Sequence, residues 1–281
     1  MVVALPYSEV IAETEGRWDV WHRYEHIRVE LRDAVLWVTF DNPPVNAPTA
    51  EMKSELSHLF RDISLDARVR CVVITGTGAV FSAGGDINRM QQMVEDRARW
   101  ALSMPEARRL VTDMLDCDKP VIARINGPAL GLGATIALCC DITVMAESAV
   151  IGDTHVKIGL AAGDGGALLW PHLVGLVQAR RYLLTGDPLT GAEAAKIGLV
   201  TVAVASEELD GEVNRWVEKL ASGATRALAG TKRSLNMALR QQAAAYMDAH
   251  LGLETLSQMT ADHAGAVDAF LNKRPPSFRG E

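Results

Sequence analysis

Two glycine-bearing loops are the first segments of this chain whose residue types and spacing could do chemistry. Phe81-Ser82-Ala83-Gly84-Gly85-Asp86-Ile87 follows one apolar run. Asn126-Gly127-Pro128-Ala129-Leu130-Gly131-Leu132-Gly133 follows another and opens into the apolar stretch Ala134 to Cys140. Paired glycines let a ligand approach bare backbone. Free N–H groups at a helix start carry partial positive charge. Two such loops at the ends of neighbouring strands can aim two N–H donors at one oxygen, the geometry of an oxyanion hole. Either loop alone is equally well explained as a tight turn that needs glycine for steric reasons. A third glycine pair, Gly76-Thr77-Gly78, also ends an apolar run. Phe81 stands where a dinucleotide fingerprint needs its third glycine, and no Gly-Lys-Ser/Thr follows, so nicotinamide and P-loop readings fail. Cys71, Cys117, Cys139 and Cys140 contain no C-x-x-C pair and read as reduced core thiols, not as a zinc site.

The elements that must position these loops are legible in the hydropathy pattern. Residues 27–32 alternate as a half-buried strand, Asp33 and Ala34 turn the chain, and residues 35–40 form a second strand stopped by Asp41-Asn42-Pro43-Pro44. Met52, Leu56, Leu59, Phe60 and Ile63 share one face of a helix over 51–63. The nearly continuous apolar runs 69–75, 120–125 and 142–146 suit strands covered on both faces. A helical pattern over 106–115 lies between two of them. Strands alternating with helices imply an α/β core with right-handed crossovers. Thr190-Gly191-Ala192-Glu193 is a capping box, and Gly198 closes its helix. Residues 207–221, 224–242, 244–259 and 263–272 read as four further helices. The chain thus divides into an N-terminal extension (1–25), an α/β core (26–204) and a helical C-terminal region (205–281). Trp18, Trp21 and Tyr24 make the extension too apolar for a free tail, so it is expected to pack on the body or on a neighbouring subunit.

The 281 residues, 48% of them apolar, suffice for one large core. A net charge of −7 counts against nucleic-acid partners, which need a basic face. Apolar runs are interrupted by Gly, Pro and charge, so no membrane span is expected. Met1 to Gly16 carries Glu9, Glu13 and Glu15 and no apolar block, and a cytoplasmic protein is expected.

Taken together, several motifs become specific. Asp41-Asn42-Pro43, the 81–87 loop, Lys-Pro-Val-Ile-Ala-Arg-Ile-Asn-Gly at 119–127, Gly-Leu-Gly at 131–133, Cys-Asp-Ile at 140–142, residues 183–194 and Gly-Leu-Val at 198–200 resemble the crotonase (enoyl-CoA hydratase/isomerase) superfamily. The resemblance covers about residues 26–279. It implies a spiral of ββα repeats with a C-terminal helical region that mediates trimerisation, as trimers or dimers of trimers. It implies an acyl-CoA substrate, with coenzyme A as part of the substrate and no separate cofactor. By position, the backbone N–H groups of Gly85 and Leu132 hold the thioester oxygen. Ser82, Ala83, Gly84, Asp86, Ile87 and Gly131 sit where the family binds the CoA portion. Lys273 and Phe278, with Arg274, sit where members often touch CoA, sometimes from a neighbouring subunit. A solvated tail explains these three equally well.

The chain departs from the hydratase pattern at both catalytic glutamates. Thr135 and His155 occupy those positions, so two-glutamate water addition does not carry over. Thr135 either hydrogen-bonds a substrate or water, or simply packs. Asp164 lies nine residues after His155, across a glycine-rich turn. A carboxylate beside an imidazole fixes its tautomer and raises its basicity. His155 is therefore expected as the acid/base of enolate chemistry, with Asp164 in support. Gly163-Asp164-Gly165 and Trp170-Pro171-His172 also resemble the β-diketone hydrolase branch, which cleaves C–C bonds with a His–Asp pair. That branch has a second histidine where Leu132 stands here. A non-catalytic acyl-CoA-binding member is the remaining alternative. A metal is not expected, because no third ligand stands at a recognisable spacing from His155 and Asp164.

Overall fold

A tight hairpin begins the ordered architecture. In the computed structural model, which describes residues 20–281, a 3₁₀ turn at Val20–Arg23 leads into β1 (Ile27–Arg32) and β2 (Val35–Phe40). Asp33 and Ala34 join them at φ 46° and 64°, and turns of that hand match the right-handed twist of a hairpin. Trp21 and Tyr24 are buried in the main core, whereas Trp18 lies outside the described residues. Thr49 caps α1 (Ala50–Leu65) by accepting from the Met52 N–H, and Met52, Leu56, Leu59, Phe60 and Ile63 are all buried. There follow β3 (Cys71–Gly76), α2 (Ile87–Glu95), α3 (Arg97–Asp116), β4 (Val121–Ile125), β5 (Ala129–Leu130), α4 (Leu132–Leu138), β6 (Ile142–Ala146) and β7 (Val150–Gly152). The rest comprises α5 (Gly166–Thr185), β8 (Leu189–Thr190), α6 (Gly191–Lys196), β9 (Val202–Val204), α7 (Leu209–Ala221), α8 (Thr225–Gln258) and α9 (Ala261–Leu271).

The strands form two sheets. The larger runs β1-β2-β3-β4-β6-β9, antiparallel between β1 and β2 and parallel thereafter; the smaller runs β5-β7-β8. Strand pairs β4/β5 and β6/β7 each send one strand to each sheet before a helix begins, which is the ββα repeat. All six residues of β3 are buried, as a parallel strand covered on both faces requires. Ser82 pairs with Ala129 as an isolated parallel bridge, so the 81–87 loop runs along the small sheet.

Three elements differ from expectation. Helix α3 starts at Arg97, capped by Asp96, and carries Pro105 in its interior. Proline reads as a helix start, but here the helix tolerates one missing N–H. Helix α2 was not foreseen: Ile87, Met90, Met93 and Val94 share one face, but the helix has only nine residues and Met93 alone is fully buried. The two helices expected over 224–242 and 244–259 are one helix, α8, of 34 residues. Ala243 to Ala245 at the expected break are the strongest helix formers, and Gly252 faces open space. The capping box at Thr190 and Glu193 is present, with Gly198 at φ 77° just beyond its helix. Helix α8 is tied to the core by Trp100 Nε1 donating to Thr255 Oγ1 at 2.9 Å and by Lys232 Nζ donating to Asp141 Oδ2 at 2.7 Å. Among the described residues no helix is long and apolar enough to cross a membrane. All four cysteines are free thiols.

Candidate active site

Backbone hydrogen bonds zip the two glycine loops together. The N–H groups of Phe81 and Ser82 donate to the Pro128 carbonyl at 3.1 and 3.0 Å, and the Leu130 N–H donates to the Ser82 carbonyl at 2.9 Å. Gly131, at φ 53°, is the point of convergence. A Cβ placed there would lie 3.8 Å from His155 Cε1 and 3.9 Å from Gly84 Cα, in ordinary contact with both, and it is the positive φ that favours glycine. Leu132 is the first residue of α4, where an N–H has no intrahelical acceptor. Among the described residues, neither the Leu132 N–H nor the Gly85 N–H has a hydrogen-bond acceptor. Around them the loop is fixed by its own bonds. The Ala83 N–H donates to the Val45 carbonyl at 2.9 Å, and the Ser82 hydroxyl accepts from the Gly84 N–H at 3.4 Å. Asp86 is the N-cap of α2, accepting from the Arg89 N–H at 2.7 Å, and Ile87 is that helix's first residue.

Strand β7 ends at Gly152 and delivers His155 on a 3₁₀ turn. Asp153 Oδ1 accepts from the His155 backbone N–H at 3.2 Å and from ring Nδ1 at 2.7 Å. On the other side, His155 Nε2 lies 3.5 Å from Asp164 Oδ2, and the Thr135 hydroxyl donates to Asp164 Oδ1 at 3.4 Å. His155, Asp153, Asp164 and Thr135 are all buried. Burial by itself would lower the His155 pKa. The charges and hydrogen bonds of Asp153 and Asp164 outweigh it and hold the imidazole well above its usual range. Burial would raise Asp164, but His155, then Lys53 and the Thr135 hydroxyl, hold it below the usual carboxylate value. Asp153 and Asp164 thus favour a proton on the imidazole from both sides. The ring is oriented by Asp153, which meets Nδ1 at the shorter distance, whereas Asp164, the partner expected from the sequence, lies on the Nε2 side.

Two more ionisable groups face this cluster. A Cβ on Gly163 would meet the His250 carbonyl oxygen at 2.4 Å and Glu254 Oε2 at 2.9 Å, so only glycine lets α8 bring Glu254 in. Burial, then the charge of Asp164, pushes Glu254 up to about 8, and its Oε2 has no hydrogen-bond partner. Lys53, from α1, is buried nearby, and burial lowers its ammonium against the opposing charges of Asp164, Glu254 and Glu106. Ligand atoms of His155, Asp164 and Glu254 lie within 4.8 Å of one another, so the third donor that the sequence lacked is present. The expectation of no metal thus loses its stated ground.

The structure therefore gathers Gly84, Gly85, Gly131, Leu132, Thr135, His155 and Asp164. It does not bring Lys273 or Phe278 to them: both are exposed on a tail that folds back so that the Arg279 and Gly280 N–H groups bond Asp262. His172 is exposed and bonds Gln242 at 2.7 Å. Sequence reasoning missed three residues. Asp153 stands two positions before His155, but β7 has ended at Gly152, so no strand period pairs them. Glu254 lies 99 residues beyond His155, and Lys53 reads as an ordinary polar helix position.

A family model described as enoyl-CoA hydratase/isomerase matches residues 30–281. A probable enoyl-CoA hydratase from Rhodobacter capsulatus is 31% identical over 263 residues, which span 92% of this chain and 99% of that one. The crystal structure of an enoyl-CoA hydratase/isomerase from Mycobacterium paratuberculosis superposes with a TM-score of 0.83 at 33% identity, covering 86% of this chain and 97% of the other. A β-diketone hydrolase from the cyanobacterium Anabaena, solved with (S)-3-oxocyclohexyl acetic acid, gives 0.79 at 26% identity, covering 86% and 98%. With its two-sheet ββα architecture and a model match along nearly the whole length, the chain belongs to the enoyl-CoA hydratase/isomerase family.

Proposed function

We propose that the protein is an acyl-CoA enzyme that works through an enolate, with His155 as the acid/base. The Gly85 and Leu132 N–H groups receive the thioester oxygen, and the charge that develops there in the transition state strengthens both bonds. Asp153 holds the ring by Nδ1, leaving Nε2 to move a proton to or from carbon. Asp164, fixed by Thr135, stabilises the imidazolium. One observation carries this reading: His155 Cε1 lies 3.8 Å from the Cβ position of Gly131, directly before the unused Leu132 N–H. Coenzyme A enters as part of the substrate. Exposed Leu235, Met237, Leu253, Leu256 and Phe270 on α8 and α9 support self-association through the helical region, as a trimer or dimer of trimers.

Crotonyl-CoA in deuterated water tests the reaction, read by mass spectrometry. Deuterium uptake with or without gain of water, lost in His155→Ala, is the expected result. Absence of both in the wild type overturns the proposal. The His155–Asp164 pair and the similarity to a β-diketone hydrolase favour one second reading, hydrolysis of a C–C bond between carbonyls. Cleavage of a 1,3-diketone that carries no CoA would establish that reading instead.

A further inference from the structure

We propose that Lys53 is a receptor for a carboxylate on the acyl group, so that the substrates are CoA thioesters of dicarboxylic acids. The inference rests on the acyl-CoA reading above and names its substrate class.

Three described lysines are buried, and two of them are satisfied. Lys119 Nζ lies 3.6 Å from Asp118, while Lys232 Nζ donates to Asp141 at 2.7 Å and to the Lys119 carbonyl at 2.8 Å. Lys53 is 8% exposed and its ammonium makes no hydrogen bond or ion pair with any described residue. Its Nζ is not among the fully enclosed unpartnered atoms, so it opens onto space that a ligand can reach. An unpaired buried ammonium is expensive, and buried lysines are rarely left so.

The location of that space is informative. The charges of Asp164 and Glu254, from the acid/base cluster, and those of Arg89 and Glu106 all act on Lys53. Arg89 and Glu106 line a cavity of about 510 Å³ with Thr49, Met93 and Ser103. Thr49 and Ala50, one turn before Lys53 on α1, line the same cavity, so Lys53 stands beside a space of acyl-group size. Arg89 is a second cation there whose guanidinium has no hydrogen bond or ion pair among the described residues. A hydrocarbon chain in this position would leave the ammonium unpaired and desolvated further. A carboxylate supplies the full opposite charge and two acceptor oxygens. Helix α1 holds the receptor rigidly, because Met52 and Leu56 beside it are locked in the core.

Glutaryl-CoA and pentanoyl-CoA have five acyl carbons each and differ in one terminal group, a carboxylate against a methyl. Their affinities for the full chain are measured by titration calorimetry. A charge-assisted bond of this kind is worth about tenfold to a hundredfold in affinity. The wild type is expected to prefer glutaryl-CoA by that factor. The two affinities should converge in Lys53→Met, and Lys53→Arg should keep the order. Removing an unpaired buried charge should also raise the melting temperature of unliganded Lys53→Met, which a structural ion pair would not do. Equal affinities in the wild type, or a preference that survives Lys53→Met, overturn the inference while leaving the acyl-CoA reading intact. If neither thioester binds, both fall.

Discussion

Replacing Glu254 by glutamine keeps the shape of the side chain and removes one titration. The carboxyl is 3% exposed, and its folded-state pKa of about 8 compares with an ordinary value of 4.5. A carboxyl whose folded pKa is raised stabilises the fold fully below its unfolded pKa, and that contribution is lost as pH rises through the folded value. The window therefore runs from about pH 4.5 to about pH 8. At about 1.36 kcal/mol per pKa unit, the wild type should lose about 4 kcal/mol between pH 5 and pH 8 through this group. His155, also raised, loses stability as pH climbs in both proteins, so its main contribution cancels and only its coupling to Glu254 enters the difference. Asp164, lowered, acts only in acid. The assay is urea unfolding of wild type and Glu254→Gln at pH 5, 6.5 and 8. The stability difference should swing towards the variant by about 4 kcal/mol across that range. Parallel profiles would refute the placement of a neutral buried carboxyl beside Asp164.

Three further outcomes are expected. His155→Ala should lower turnover by about 10²–10⁴, the usual range for a general acid–base, while Asp153→Asn should move the inflection of the rate–pH profile downward by removing the carboxylate at Nδ1. An unchanged rate in the first, or an unmoved profile in the second, would count against the roles given to these residues. Leu132→Pro deletes one N–H at a first helical position, where proline is tolerated, and should cost about 10²–10³ in turnover with the circular dichroism spectrum intact. Full activity in a folded variant would displace the oxyanion site. Gly163→Ala should destabilise the fold by about 1–3 kcal/mol, because the new methyl meets the His250 carbonyl oxygen and Glu254. A variant as stable as wild type by urea titration would show that α8 does not approach there so closely.

The strands and the two loops were legible because their signals are local. Alternation over 27–32, apolar runs over 71–76 and 142–146, and glycines at the ends of such runs all act within a few residues. Helix ends were less legible. Pro105 looks like a start, and nothing local says that α8 runs unbroken, because the continuity is an absence of breakers and not a signal. In the site, His155 and Asp164 were visible through their positions in the family pattern. Their partners were not. Asp153 acts through a turn whose geometry is set by β7 and Gly152, and Lys53 and Glu254 arrive by packing of helices that sequence spacing does not encode. Burial decides their chemistry, and burial is a property of the assembled core.

The hydrogen-bond zipper between the glycine loops has a consequence for how such a site changes over generations. Its two unused donors, at Gly85 and Leu132, are main-chain atoms, so a substitution at 132 alters a side chain without altering the donor. The buried polar side chains of the candidate site come from four other stretches of chain, around residues 53, 135, 153–164 and 254. Each of these can be exchanged while the Pro128 and Ser82 bonds that set the distance between the loops stay as they are. Under the proposed function, a lineage built this way can trade one reaction for another while both main-chain donors stay in place.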